Sequence, residues 1–268
     1  MCLLIVLSEV CPGYPLVVAA NRDERTERPA VSMTVLQDRG PRILGGRDEL
    51  AGGTWLAVNE HGLVAGLTNR PVSGGRDESK RSRGELPLRL ARWRAADEAV
   101  DDLVANVDPG RYNPCWFLVA DRRTVYYVDL APEEGPPVRE LGPGIHALEN
   151  RPLGGPSPKV DYVTSRLEGV ADLDPAFRRA RLETLLADHT VPPGVEPPTA
   201  PEDPVEGEEA PAPIPVAVHA CCVHTDGYGT RSSLLIEVEA APAAPPALRS
   251  ADGPPCTAPF VDVDELWG

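Results

Sequence analysis

Apolar residues in this chain fall into short dense runs separated by turns that carry glycine and proline. Residues 3–10 are almost unbroken in β-forming apolar side chains, residues 11–15 make a turn with Pro12, Gly13 and Pro15, and residues 16–20 return as a second apolar run. This pattern predicts a hairpin, and strands apolar on both faces need cover on both sides. A second hairpin is predicted from residues 54–58 and 63–68, turning over residues 59–62, where Gly62 suits a positive φ. A third joins residues 115–120 to 124–130.

Between the second and third hairpins the spacing changes to that of a helix. Leu86, Leu90 and Trp93 recur on one helical face, and Val100, Leu103, Val104 and Val107 do so again. Residues 160–186 read as a further helical region with Val163, Leu167, Val170, Phe177, Leu182, Leu185 and Leu186, broken at residues 172–175 where Pro175 opens the next helix. Residues 191–215 hold nine prolines and six acids, too little apolar surface to offset the entropy of ordering, so a flexible loop is expected. Residues 216–223 and 232–238 read as strands, residues 240–255 as Pro/Ala-rich connection, and residues 260–267 as a last strand or docked tail. Hairpins interleaved with helices predict one α+β domain over residues 1–268, with antiparallel sheets and helices on the outer faces.

Charge narrows the range of partners. The formal net charge of −15 argues against a general nucleic-acid binder and against an anionic membrane surface. The acidity is uneven: no Lys or Arg lies between Arg181 and Arg231, whereas Arg is frequent from Arg22 to Arg94. No run approaches the ~20 apolar residues of a membrane-spanning helix. The first apolar run has no basic residue before it and is followed by Pro12 and Pro15, so it reads as structure rather than a signal peptide. The six cysteines include no CxxC pair, which gives a zinc site no support and suits a reducing cytoplasm. His219, Cys221, Cys222 and His224 are metal-ligand types, but strand alternation would place Cys221 and Cys222 on opposite faces; no metal or cofactor is expected.

Candidate chemistry gathers at strand ends. Cys2 becomes the amino terminus if Met1 is removed. A thiol (pKa about 8.5) and an α-amine (about 7.7–8.0) on one residue then supply a nucleophile and its own base. On position alone, Cys2 reads as just the first residue of a buried strand. Asn21-Arg22-Asp23-Glu24 follows the second apolar run, and a hairpin returns it beside Cys2, where Asp23 can hold the amine. Gly52-Gly53-Thr54-Trp55 lets backbone approach closely, and Asn69 ends the return strand as an amide donor of the kind an oxyanion requires. Asn150 is a second such donor, His146 reads as a packed histidine, and Arg231 can anchor a carboxylate or steady Cys2. The bland alternatives are a solvated strand end, ordinary turn chemistry and a local ion pair.

Four ordered segments plus Cys2 resemble one family. Residues 20–24 (Ala-Asn-Arg-Asp-Glu), 51–56 (Ala-Gly-Gly-Thr-Trp-Leu), 67–69 (Leu-Thr-Asn) and 228–233 (Tyr-Gly-Thr-Arg-Ser-Ser) are similar to the signatures of NRDE-domain, or transport and Golgi organization, proteins. Departures include Glu149 before Asn150, Ser157-Pro158-Lys159 where Trp-Pro-Lys is usual, and Cys115-Trp116 where Phe-Asn is usual. The family is similar to N-terminal-nucleophile hydrolases, including penicillin V and bile-salt amidases. That resemblance implies a four-layer αββα sandwich of two antiparallel sheets. It also implies Cys2 as nucleophile, Asp23 positioning it, Asn69 and Asn150 as oxyanion or substrate donors, and Arg231 supporting the nucleophile. Asn21, Arg22 and Trp55 are expected on the substrate side. The expected activity is hydrolysis of non-peptide C–N amide bonds in a small-molecule substrate. The alternative is a non-catalytic protein that binds or carries haem or a lipid on the same fold.

Overall fold

A computed structural model describes residues 2–72, 75–131, 137–195, 215–241 and 244–268. In chain order its elements are β1 (Leu3–Cys11), β2 (Tyr14–Arg25), β3 (Ala30–Gln37), β4 (Ile43–Asp48), β5 (Leu56–Asn59), β6 (Val64–Asn69), α1 (Glu85–Leu90) and α2 (Ala96–Asn106). Then come β7 (Cys115–Ala120), β8 (Val125–Leu130), β9 (Val138–Leu141), β10 (Gly144–Leu148), α3 (Pro158–Arg166), α4 (Pro175–Leu186), β11 (His224–Thr225), β12 (Tyr228–Val238), β13 (Ala247–Ala251) and β14 (Val261–Asp262). One sheet runs β10-β1-β2-β12-β13-β14 with β11 on β12, and the other runs β3 to β9 in sequence order. Every strand pair is antiparallel.

Side-chain alternation builds the layers. Leu4 and Val6 of β1 with Leu16, Val18 and Ala20 of β2 point at Leu44, Leu56, Val58, Trp116 and Leu118 of the facing sheet. The opposite faces of β1 and β2, with Leu3, Ile5, Leu7, Val17 and Ala19, pack on Val163, Leu182, Leu185 and Leu186 of α3 and α4. The outer face of the second sheet, with Ala57, Ala65, Phe117 and Val119, packs on Leu86, Leu90, Val100 and Leu103 of α1 and α2. The result is a four-layer αββα sandwich. It explains why β1 and β2 are apolar on both faces: each is covered by a sheet on one side and helices on the other.

The run 216–223 is not a strand. A 3-10 turn occupies Val216–His219, and the following residues are held by single bonds, Cys222 N–H to Asp188 O and Thr230 N–H to Val223 O, each 2.8 Å. Burial of Val218, Cys221, Cys222 and Val223 accounts for its apolar character without a strand. Residues 247–251, within the Pro/Ala-rich stretch, form β13. Trp93 lies beyond α1, because the Asn59 amide takes the carbonyls of Ala91 and Trp93 at 2.9 and 2.7 Å and turns the chain there. Val104 and Phe177, members of those helically spaced apolar patterns, are exposed. Most of the expected flexible loop over 191–215 falls outside the described residues.

Candidate active site

Strand register brings the candidate residues together. β1 starts at Leu3, opposite Asn21, so Arg22, Asp23 and Glu24 of β2 continue past the head of β1, where Cys2 sits. β12 flanks β2 on its other side, pairing Ser232 with Arg22 and Thr230 with Asp23. Alternation along β2 turns Arg22 toward the facing sheet, where its guanidinium lies 4.7 Å from the Trp55 ring centroid. It turns Asp23 the other way, toward Lys159 at the start of α3.

The mouth between the sheets is a cavity of about 120 Å³, whose walls include Cys2, Arg22, Asp23, Trp55, Asn69 and Arg83. Two glycines shape its far wall. A Cβ on Gly46 would lie 1.7 Å from the Trp55 ring, so only glycine leaves room for the indole. Gly53 meets Gly84 backbone to backbone, with the Thr54 N–H donating to the Gly84 carbonyl at 2.8 Å. The glycine pair therefore serves a close approach of two loops. The rim is stitched across the sheets: Thr68 Oγ1 donates to the Glu149 carbonyl at 2.8 Å, and Asn150 Nδ2 to the Asn69 carbonyl at 2.6 Å.

Cys2 is half-buried and its thiol donates to the Asp23 carbonyl at 3.9 Å. Burial pushes the thiol above its ordinary value, and the Asp23 charge adds to this, while Arg22 opposes it. The thiol is therefore held protonated near neutral pH and needs a base to release it. Asp23 is itself buried; Oδ1 accepts from Thr230 Oγ1 at 2.7 Å, and Lys159 Nζ stands 4.0 Å from Oδ2. Burial raises the Asp23 carboxyl, with Lys159 and the Thr230 bond acting against the rise. Thr230 Oγ1 in turn accepts from the Val223 N–H at 2.9 Å.

Positive charge dominates the walls. Arg22, Arg28, Arg76, Arg81 and Arg83 face three acids, Asp23, Glu24 and Asp48, in a chain whose net charge is −15. Arg28 is matched to Asp48 by bonds of 2.9 and 2.7 Å. Two others are less satisfied. The buried Arg22 Nη1 has no hydrogen-bond partner among the described residues. Arg83 donates to the Pro114 carbonyl at 3.1 Å, and burial pushes its guanidinium down.

Residues 1–243 match the family model described as Transport and Golgi organisation 2. The chain belongs to the transport and Golgi organisation 2 family. It is 30% identical over 242 residues to the mouse Transport and Golgi organization 2 homolog, covering 85% of this chain and 83% of that one. The human homolog is 31% identical over 241 residues with the same coverage. Among solved structures it is similar to conjugated bile acid hydrolase from Clostridium perfringens, in its C2A mutant, with a TM-score of 0.56 and 11% identity over 100% of this chain and 94% of that one. An N-acylethanolamine-hydrolyzing acid amidase ortholog from Caenorhabditis elegans gives a TM-score of 0.52 and 11% identity, covering 68% of this chain and 85% of that one. At that identity the likeness establishes the shared fold.

Within this transport and Golgi organisation 2 family member, the residues anticipated from sequence separate into two groups. Cys2, Arg22, Asp23, Trp55 and Asn69 line the cavity. Asn21 does not. It faces the helical layer, donating to the Leu186 and Cys221 carbonyls at 2.8 Å each and accepting from Ser233 Oγ at 2.5 Å. Its amide ties β2 to the end of α4 and spends both N–H donors there, away from the cavity. Asn150 lies outside the lining, its amide N–H engaged by Asn69. Arg231 is the extra residue of a bulge in β12 and also lies outside the lining, with its buried Nε lacking a hydrogen-bond partner among the described residues. His146 bonds locally to the Gly142 carbonyl at 2.9 Å.

Lys159 and Arg83 were missed. Lys159 is one of two lysines in the chain and follows Ser157-Pro158, the N-cap and first position of α3. A rare lysine at a helix start was the available signal. The group of metal-ligating side chains found among the described residues, around Cys222, lies outside this cavity. No described helix is long and apolar enough to cross a membrane.

Proposed function

We infer that this protein hydrolyses non-peptide C–N amide bonds in small anionic substrates, with Cys2 as nucleophile once Met1 is removed. The reading rests on one observation above others: Cys2 sits in the wall of a cavity at the head of β1, its thiol on the Asp23 carbonyl and arginines around it. The fold by itself does not supply the activity. The free amine of Cys2 takes the thiol proton, and the sulfur attacks the amide carbon. Charge develops on the carbonyl oxygen, for which the exposed Asn69 amide on the cavity wall is a side-chain donor. The ammonium returns its proton to the departing amine, leaving a thioester. Water, deprotonated by the same amine, then releases the acid and restores the thiol.

Arg22 and Arg83 account for the anionic preference. Arg22 is buried with Nη1 lacking a partner among the described residues, Arg83 is half-buried in the same cavity lining, and a substrate carboxylate would pair with both. A haem or lipid carrier fits less well. Such ligands need a broad apolar cleft, and pockets for drug-sized ligands run to about 300–1,000 Å³, against about 120 Å³ here.

The test is turnover of a panel of N-acyl compounds by purified protein whose mass shows Met1 removed. A carboxylate-bearing amide should be hydrolysed, and Cys2→Ala should lower kcat by at least about a thousandfold with the circular dichroism unchanged. Turnover that survives in Cys2→Ala contradicts the reading.

A further inference from the structure

On the far side of Thr230 from the candidate nucleophile, four ligand-type side chains meet: His189 just beyond α4, Cys222 and His224 on either side of Val223, and Cys256 after β13. One ligand atom from each lies within 4.8 Å of all the others. Cys256 Sγ is 3.2 Å from His224 Nε2. The two imidazoles approach edge-on, with centroids 4.9 Å apart and planes at 72°. His189 Nδ1 lies 3.0 Å from the Cys222 carbonyl. A carbonyl only accepts, so Nδ1 carries the proton and Nε2 keeps its lone pair. A backbone carbonyl behind one ring nitrogen is the arrangement that fixes metal-binding histidines.

We propose that His189, Cys222, His224 and Cys256 form a structural zinc site. Two sulfurs and two imidazole nitrogens suit a tetrahedral Zn²⁺, whose ligands at about 2.0–2.3 Å require donor atoms gathered as these are. On binding, each thiol releases its proton, two Zn–S and two Zn–N bonds form, and the centre is neutral. Cys222 is buried and the other three residues are exposed, which gives the ion a closed floor and an open entry. The sequence argument against a metal assumed that residues 216–223 form a strand. They do not, and two of the four ligands come from distant segments that spacing cannot reveal. His189 follows α4 and Cys222 precedes β11, so the ion ties the end of that helix to the start of that strand. It also clamps Val223, whose N–H bonds Thr230, whose hydroxyl bonds Asp23. The site thereby braces the residue that backs the candidate nucleophile.

The test uses the full chain, stripped with a chelator, kept reduced with a phosphine, and titrated with Zn²⁺ against a chromophoric competitor and separately with Co²⁺. The expected result is one equivalent of Zn²⁺ and, with Co²⁺, a sulfur-to-cobalt charge-transfer band with tetrahedral d–d bands. Cys256→Ser and His224→Gln, both exposed positions, should each weaken Zn²⁺ binding by at least about 100-fold, the upper end of what loss of an outer-shell partner costs. Cys2→Ala should keep full stoichiometry, separating this site from the nucleophile and from any failure of the hydrolase reading. Absence of stoichiometric binding by the reduced protein overturns the proposal. So does binding undiminished in a Cys222→Ser/Cys256→Ser double variant, or a charge-transfer band that depends on Cys2.

Discussion

Lys159 and Asp23 are each completely shielded from solvent as side chains, 4.0 Å apart, and Asp23 offers its carbonyl to the Cys2 thiol. Removing the lysine leaves a buried carboxyl already raised by burial and raises it further. The folded state then holds a proton that the unfolded chain, with its ordinary value of 3.8, has released. Stability is therefore fully present below about 4 and falls as pH rises through the folded value. Lys159→Met should cost about 3–5 kcal/mol at pH 7.5 and visibly less near pH 4.5, read from urea midpoints. A deficit that does not change with pH would show that the pair is not coupled. Arg83 tests substrate charge. Arg83→Gln should raise KM for a carboxylate-bearing amide about tenfold or more with kcat nearly unchanged, and leave a neutral isostere unaffected. Equal effects on both substrates would remove the anion from the account. The strand-end positions of Cys2, Asp23 and Asn69 were legible in the sequence because hairpins bring such ends together, and all three line the cavity. Sequence misplaced Asn21, because the motif reads as one block whereas alternation sends neighbouring side chains to opposite faces. It passed over Lys159, whose partner lies in a strand far away in the chain.

Elements were legible where periodicity was strong. β1, β2, β5 to β8 and the helices α2 to α4 emerge from runs and spacing, and Pro175 marks the start of α4 as expected. β3 and β4 were not read, since residues 30–48 mix polar and apolar positions without a bounded run; β13 hid in a stretch rich in Ala and Pro. The run 216–223 misled because buried coil and strand share one composition. Contacts between elements set the cavity wall, and Gly46 in β4 is the clearest case. Gly46→Ala would drive a methyl into Trp55, displacing the indole and the Arg22 guanidinium stacked on it. The expected outcome is a loss of about 1–3 kcal/mol together with a raised KM. A variant with wild-type stability and KM would mean that Trp55 has another seat.

At the scale of the whole molecule, two double-faced sheets and their helices leave an arginine-lined opening between the sheets. The sandwich places the head of β1, the extension of β2 and the end of β6 at that opening whatever the loops do. This is why the fold class was legible from hairpin order, while the opposing wall, built from Gly84 and Arg83 beyond the second hairpin, was not. The central claim is that Cys2 is the reactive thiol of this opening, activated by its own amine. The direct measurement is competitive alkylation by a carboxylate-bearing electrophile at neutral pH, with peptide mapping of all six cysteines, on Met1-free chain and on a chain extended at its amino terminus. Cys2 should label first in the Met1-free chain and lose that lead in the extended one, where burial keeps the thiol protonated and no adjacent amine is free. Labelling led by another cysteine, or equally fast at Cys2 in both chains, would contradict the account.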